Sequence, residues 1–370
     1  MMRSIEPKPT LSICIPTCNR AHFLRVMLEA LLPQVLEFKE DVEVWILDNG
    51  SSDTTKELLI QLASLGPFNV LRRNDNVGPV RNLVEGPLKL ARGEYVWVLG
   101  DHNLLRPQAL KTILEAIKGP LKTDLFYVNF RVGVFPKHWP ESAHGGYDGE
   151  FQYIGNSEIR EATAEKWYSL LKAQSAACTQ SYVHIVKTTI WQEYWENRDI
   201  GRDFSSAETT YPHTMAISQS YIHSPVTIIT IPCFTIFNGA QSWGDPNTKL
   251  NVLFVGFTEL LGHFKERGVP REVLTPLWNE FFLPAATNCV QEVLQNCGRI
   301  RGSFLVTPHL GLNYYNWKSY LSAFLKTIIP QTLKSTGDAI VRRVEASKNY
   351  LYNFRVSRWL RARKSKRNSS

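Results

Sequence analysis

What this 370-residue chain lacks narrows its possibilities. No CxxC pair occurs: the six cysteines stand apart at 14, 18, 178, 233, 289 and 297, so a structural zinc site is not expected and reduced thiols are. No apolar run reaches membrane-spanning length. The longest, "PVTIITIPCFTIF", is about half a span and is interrupted by Pro232, so no transmembrane helix is expected. The start, "MMRSIEPKPT", carries no signal-peptide pattern and leads straight into a strand. Internal repeats and long low-complexity linkers are missing too.

What is present is core material, 44% hydrophobic and 11% aromatic, enough for one large domain or two ordinary ones. The net charge of +8 is local: residues 331–370 hold eleven Lys or Arg against Asp338 and Glu345, a net +9, and the other 330 residues sum to about −1.

The first 131 residues alternate in type. Apolar runs at 11–15, 42–47, 68–73, 93–99 and 124–132 have the length of buried strands. Between them lie helical stretches, the first with Leu24, Leu28, Leu31 and Val35 on one face. This spacing predicts βαβ units, hence an α/β fold with a doubly wound, mainly parallel sheet. Strands at 181–188 and 226–231 extend the same domain to about residue 245, with 132–245 as an acceptor half. Residues 246–332 read as a helical C-terminal region and 333–370 as a basic amphipathic tail.

In such sheets ligands bind beyond the carboxyl ends of the strands. Four exits there are rich in Asp, Asn, Arg, Gly or Pro: "PTCNR", "DNGSSD", "RNDNVGPVRN" and "GDHN". One would be ordinary; four on one rim suggest a nucleotide-sized site. Asp48 is placed to accept hydrogen bonds from a ribose or base, or to serve turn chemistry before a helix capped by Ser51 or Ser52, with Asp53 in its first turn. Pro16, Thr17 and Asn19 lead into the first helix, where backbone N–H groups grip anions; an N-cap explains Thr17 or Asn19 equally well. Arg81 is suited to neutralising a diphosphate, and Asn82 to fixing its loop. Asp101 supplies one hard oxygen ligand for Mg²⁺ or Mn²⁺, and Asn103 offers a neutral carbonyl two residues on. His102 is a nitrogen donor expected to point elsewhere. A capped strand end is the other reading of this stretch.

Taken together, "LSICIPTCNR", "VEVWILDNGSSDTT", "NVGPVRN" and "RGEYVWVLGDHNLL" resemble a family 2 glycosyltransferase of GT-A fold, strongly over the first 131 residues and loosely to about 245. The resemblance implies a nucleotide-sugar donor contacted by Pro16, Thr17 and Asp48, with Arg81 near the donor, Asp101 on ribose or metal, and inversion at the anomeric carbon. The family's second motif carboxylate falls where Asn103 stands, which puts metal affinity in question. The catalytic base is expected in "IGRDFSSAETTYPHTMAI": Glu208 or Asp203, with His213 touching acceptor or phosphate. The alternative is that both acids only favour a helix N-terminus. Trp243 is suited to stacking on a sugar ring or to packing. The tail sets Val344, Leu351, Phe354 and Trp359 against Arg and Lys, as helices on anionic membrane surfaces do; a solvated charge run is the bland alternative. A lipid-linked or glycan acceptor at the cytosolic membrane face, in cell-surface polysaccharide assembly, follows by analogy. A non-catalytic nucleotide-sugar binder is the rival reading. A nucleic-acid partner is not expected, because no RNA-binding motif is present.

Overall fold

The apolar runs fold as strands because packing seals the central ones from water on both faces, while the run at Phe68–Arg72 is only partly covered. Five of the seven residues of β1 (Leu11–Thr17) are buried in one unbroken run, the pattern of a central parallel strand. The computed structural model describes residues 8–63, 65–134, 153–156, 161–172, 176–238 and 245–297, with Val306. In chain order come β1, α1 (Ala21–Glu37), β2 (Val42–Asp48), α2 (Thr55–Ala63), β3 (Phe68–Arg72), α3 (Pro79–Lys89), β4 (Tyr95–Val98), β5 (Leu104–Leu105), α4 (Ala109–Lys118) and β6 (Leu125–Val134). There follow β7 (Tyr153–Asn156), β8 (Thr163–Ala164), α5 (Ala176–Thr179), β9 (His184–Lys187), α6 (Thr188–Trp195), α7 (Ala207–Thr210), α8 (Pro212–Ser220) and β10 (Val226–Asn238). Helices α9 (Pro246–Leu250), α10 (Thr258–Glu266) and α11 (Arg271–Pro276) complete the unit Met1–Phe282; α12 (Leu283–Asn296) belongs to a second, Leu283–Ser370.

The sheet runs β3-β2-β1-β4-β9-β6-β10-β5, with β7 on β6 and β8 on β10. Strands β1 to β4 are parallel to one another, and so are β6 and β10. The strand expected at 181–188 is β9, and it lies antiparallel between β4 and β6, a direction and position that the sequence pattern does not announce. Right-handed crossovers leave β1 one way toward β2 and β3 and return past it to β4, so α3 covers the face opposite α1 and α2. The packing agrees: α1 meets α2 and α4, whereas α3 meets α6. Between them the core holds Trp97, Trp195, Phe126 and Phe234 with under 2% exposure, each such side chain worth on the order of 2–3 kcal/mol.

Reversal of direction at β1 creates a crevice between the carboxyl ends of β1 and β4, the place where doubly wound sheets bind ligands. In β10, Pro232 sits inside a register shift between Ile229 and Phe234, where the ladder needs no N–H from it. No helix among the described residues is long and apolar enough to cross a membrane. Residues 298–305 and 307–332 of the helical region, the tail 333–370 and Trp243 lie outside the described residues.

Candidate active site

The four polar strand exits converge on a cavity of about 680 Å³, with Asn49 reaching it after β2 and Asn76 after β3. Pro16 and Thr17 come from β1, Gly100 to His102 from the turn after β4, and Pro79, Asn82 and Leu83 from the first turns of α3. Gln180, Ser181 and Tyr182 precede β9 and form another wall, fixed where Trp97 Nε1 donates to the Tyr182 carbonyl at 2.7 Å. Phe237 closes the far side from β10.

Asp101 is the most heavily partnered group on this lining. Thr17 Oγ1 donates to its Oδ2 at 2.9 Å. Arg20 Nε donates to Oδ1 at 3.0 Å and to Oδ2 at 3.1 Å, and His102 Nδ1 stands 3.0 Å from Oδ1. Burial alone would raise its carboxyl; the His102 hydrogen bond, the Arg20 charge and Thr17 outweigh that and hold it below the ordinary carboxylate value. Both oxygens are thus engaged by three protein groups, the single Arg20 Nε–H spanning the two.

Asn103 answers to the turn. Its Oδ1 accepts the Gly100 N–H at 2.7 Å, and the residue is fully buried behind the lining. A divalent cation wants free oxygen ligands. The two residues expected to hold one have their oxygens committed to protein donors, so this arrangement does not fit a metal. Among the described residues no cluster of three His, Cys, Asp or Glu side chains is suited to an ion.

The remaining expected residues divide between lining and support. Asp48 ends β2 fully buried, accepting the Ser51 N–H at 3.0 Å and pairing with Arg72, behind the lining rather than on it. Its neighbour Asn49 does reach the cavity, bridging Asn76 Oδ1 at 2.8 Å and the Val77 N–H at 2.9 Å. Asn19 takes a left-handed backbone (φ 55°), which its short polar side chain tolerates. Its Oδ1 accepts the Ser52 N–H at 2.7 Å, stapling the first loop to the second; Asp53 does the same in reverse on the Ala21 N–H at 3.1 Å. Asn82 lines the cavity while holding the Leu47 carbonyl at 2.7 Å.

Arg81 turns outward, 40% exposed, toward Glu85 at 3.7 Å and the Ile200 carbonyl at 3.3 Å, and is not part of the lining. His213 is buried beside His184, ring centroids 6.1 Å apart, and does not reach the cavity. Burial first, then the His184 charge, push it well below its usual value, so it stays neutral.

The two candidate bases differ. Glu208, in the first turn of α7, accepts from Tyr194 Oη at 2.6 Å and from Arg198 at 3.2 Å. Asp203 accepts the Val80 N–H at 3.1 Å, and so sits on the N-terminus of α3 beside Pro79, which lines the cavity. Gly78 before it has φ 93°, and a β-carbon there would collide with Asp203 Oδ2, so only glycine admits this approach. Burial raises the Asp203 carboxyl above its ordinary value, against the pull of the Val80 N–H and of Arg81.

Sequence reasoning passed over Arg20, though it closes the "PTCNR" motif, because an arginine at a helix start carries no signal of its own. It also passed over Tyr182 and Phe237, which reach the cavity only through the insertion of β9 and the length of β10.

Comparison with known proteins gives four findings. The family described as glycosyl transferase family 2 matches residues 12–169. The abequosyltransferase RfbV of Salmonella typhimurium is 26% identical over 58% of this chain and 62% of its own length. The minor teichoic acid biosynthesis protein GgaA of Bacillus subtilis is 26% identical over 37% of this chain and 29% of its own. The chain therefore spans less than two thirds of these relatives. Among solved structures, S. aureus TarS 1-349 superposes with a TM-score of 0.48 at 16% identity, covering 85% of this chain and 90% of that one.

Proposed function

Because residues 12–169 match glycosyl transferase family 2, we propose that the chain moves a sugar from a nucleotide-sugar donor to a hydroxyl of a glycan or lipid-linked acceptor, with inversion. The observation that carries this reading is the 680 Å³ cavity at the crevice between β1 and β4, with an ionised Asp101 built into its wall. Its size suits a nucleotide sugar. Pro16, Thr17, Asn49 and Asn76 offer hydrogen-bonding edges for the nucleoside, and Asp48 and Asn19 hold the loops that present them.

In the reaction the acceptor oxygen attacks the anomeric carbon from the face opposite the diphosphate. The bond from that carbon to the diphosphate oxygen breaks, and the electron pair leaves with the diphosphate. The acceptor proton goes to a carboxylate. Asp203 is the better-supported base. It holds the Val80 N–H next to Pro79, which lines the cavity, and its raised affinity for a proton suits general-base work. Glu208 is already held by Tyr194 and Arg198.

The setting is cell-surface polysaccharide assembly at the cytosolic membrane face, supported by the +9 of residues 331–370, which favours an anionic surface. The test is thermal shift and donor hydrolysis against sugars of UDP, GDP, CDP and dTDP. One nucleotide class should raise the melting temperature and be turned over. Binding without turnover of any donor, with acceptors supplied, would leave the non-catalytic binder; no binding at all would sink the reading.

A further inference from the structure

Arg20 is the cavity residue that the scheme above leaves without a part. It stands between β1 and α1, and its side chain is 13% exposed against 5% for Asp101. The guanidinium carbon lies 4.1 Å from the centroid of the Phe23 ring, so the cation is stacked as well as paired. Of the described residues lining the cavity it alone carries a permanent positive charge. Arg81, the cation that the sequence offers for the diphosphate, faces Glu85 and Ile200 instead.

A leaving diphosphate needs positive charge beside it, usually from a cation held on carboxylates or from arginine and lysine. Here the carboxylate on the lining already holds a cation, and that cation is a side chain. A divalent ion could reach Asp101 only by displacing Arg20, and it would then stand next to a like charge. The second motif position strengthens the point. Asn103 has spent its oxygen on Gly100 and brings no charge to help an ion compete. A guanidinium also matches phosphate geometry, and it needs no shell of water removed.

We infer that Arg20, held on Asp101, supplies the positive charge that a divalent cation would otherwise bring to the donor diphosphate, so that nucleotide binding in this cavity is independent of metal. The inference rests on the nucleotide-sugar reading and deepens it. Asp101 is then the counter-ion that aims Arg20, rather than a ligand to a metal.

The test is calorimetric titration of the full chain with UDP, GDP, CDP and dTDP, once in EDTA and once in Mn²⁺. The expected result is one nucleoside diphosphate whose Kd agrees within about threefold between the two media. Arg20→Met should weaken that binding about 10- to 100-fold, the usual worth of a charge-assisted contact, and Arg20→Lys should recover part of it. Should Arg20→Met fail to fold, the EDTA and Mn²⁺ comparison on the unaltered chain still decides. Paramagnetic resonance of Mn²⁺ alone should show the ion remaining free in the presence of the protein. Nucleotide binding only with Mn²⁺ overturns the inference and leaves the nucleotide-sugar reading standing. Undiminished binding by Arg20→Met overturns it as well. Binding in neither medium overturns both.

Discussion

Asp101 lines the cavity and Asp203 sits off the lining on the N-terminus of α3, and their surroundings drive their protons in opposite directions. Asp101 is buried, yet four contacts from Thr17, Arg20 and His102 keep it ionised below the ordinary range. Asp203 is less buried but has one backbone N–H and only a weak pull from Arg81, so burial wins and its proton is held more tightly. Burial is the same force in both; the number of donors facing the carboxylate decides the sign. A carboxylate fixed in the charged form is suited to holding charge in place. One poised closer to neutrality is suited to taking a proton.

The severest way to break this contrast is to remove the charge at the β4 exit. Asp101→Ala removes the carboxylate from a half-buried Arg20 and from Thr17, at a cost of about 1–3 kcal/mol of stability, and should abolish turnover. Denaturant unfolding and donor turnover measure the two; near-normal activity would end the assignment of this cavity.

Next comes the proton acceptor. Asp203→Asn should lower turnover by roughly 100-fold or more at saturating donor, and Glu208→Gln should lower it far less. A base must be ionised to act, so the rate falls as pH drops through its pKa. Because Asp203 is raised, that fall should begin above the range of an ordinary aspartate, and the Asn variant should lose it. If Glu208→Gln proves the more damaging change, the roles are reversed.

A pH profile of stability is needed beside that of the rate, because a third buried group titrates. His184 accepts from Trp167 Nε1 at 3.0 Å, and burial, opposed weakly by the Gln180 backbone, lowers it from 6.5 to about 3. Unfolded, it takes up a proton below 6.5; folded, it refuses one until about 3. Stability should therefore hold above pH 6.5 and fall as pH drops from 6.5 toward 3. His184→Gln should flatten that fall in chemical denaturation; an unchanged slope would place the proton uptake elsewhere.

The smallest expected effect belongs to Asn103→Asp. A carboxylate there keeps an oxygen for the Gly100 N–H but is fully buried near Asp101, and should cost about 1–3 kcal/mol with no gain in Mn²⁺ affinity. Tighter Mn²⁺ binding by this variant would mean that the position can still turn toward the cavity.

Much of the fold was legible because its signals are local. The apolar runs at 42–47, 68–73 and 93–99 coincide with β2, β3 and β4 to within two residues at each end, and residues of all four polar exits line the cavity. The strand at 181–188 was legible but the antiparallel direction of β9 was not, since strand direction is set by what a strand pairs with and not by its own residues. Asp48 and Asn103 show the same limit at the level of side chains. Both types suit a ligand and a turn equally, and which one each serves depends on where its oxygen points.

The sequence alone determined that the chain alternates strand and helix, that its polar loops follow its apolar strands, and that its positive charge gathers near the end. These properties follow from period, composition and turn chemistry, which neighbours in sequence fix among themselves. Only the tertiary structure decided that Arg20 faces Asp101 across 81 residues, that Asp203 crosses 123 residues to cap α3, and that Arg81 faces away. Such pairs form because folding desolvates a charge and makes it take whichever partner the packing brings near, a choice that no local pattern records.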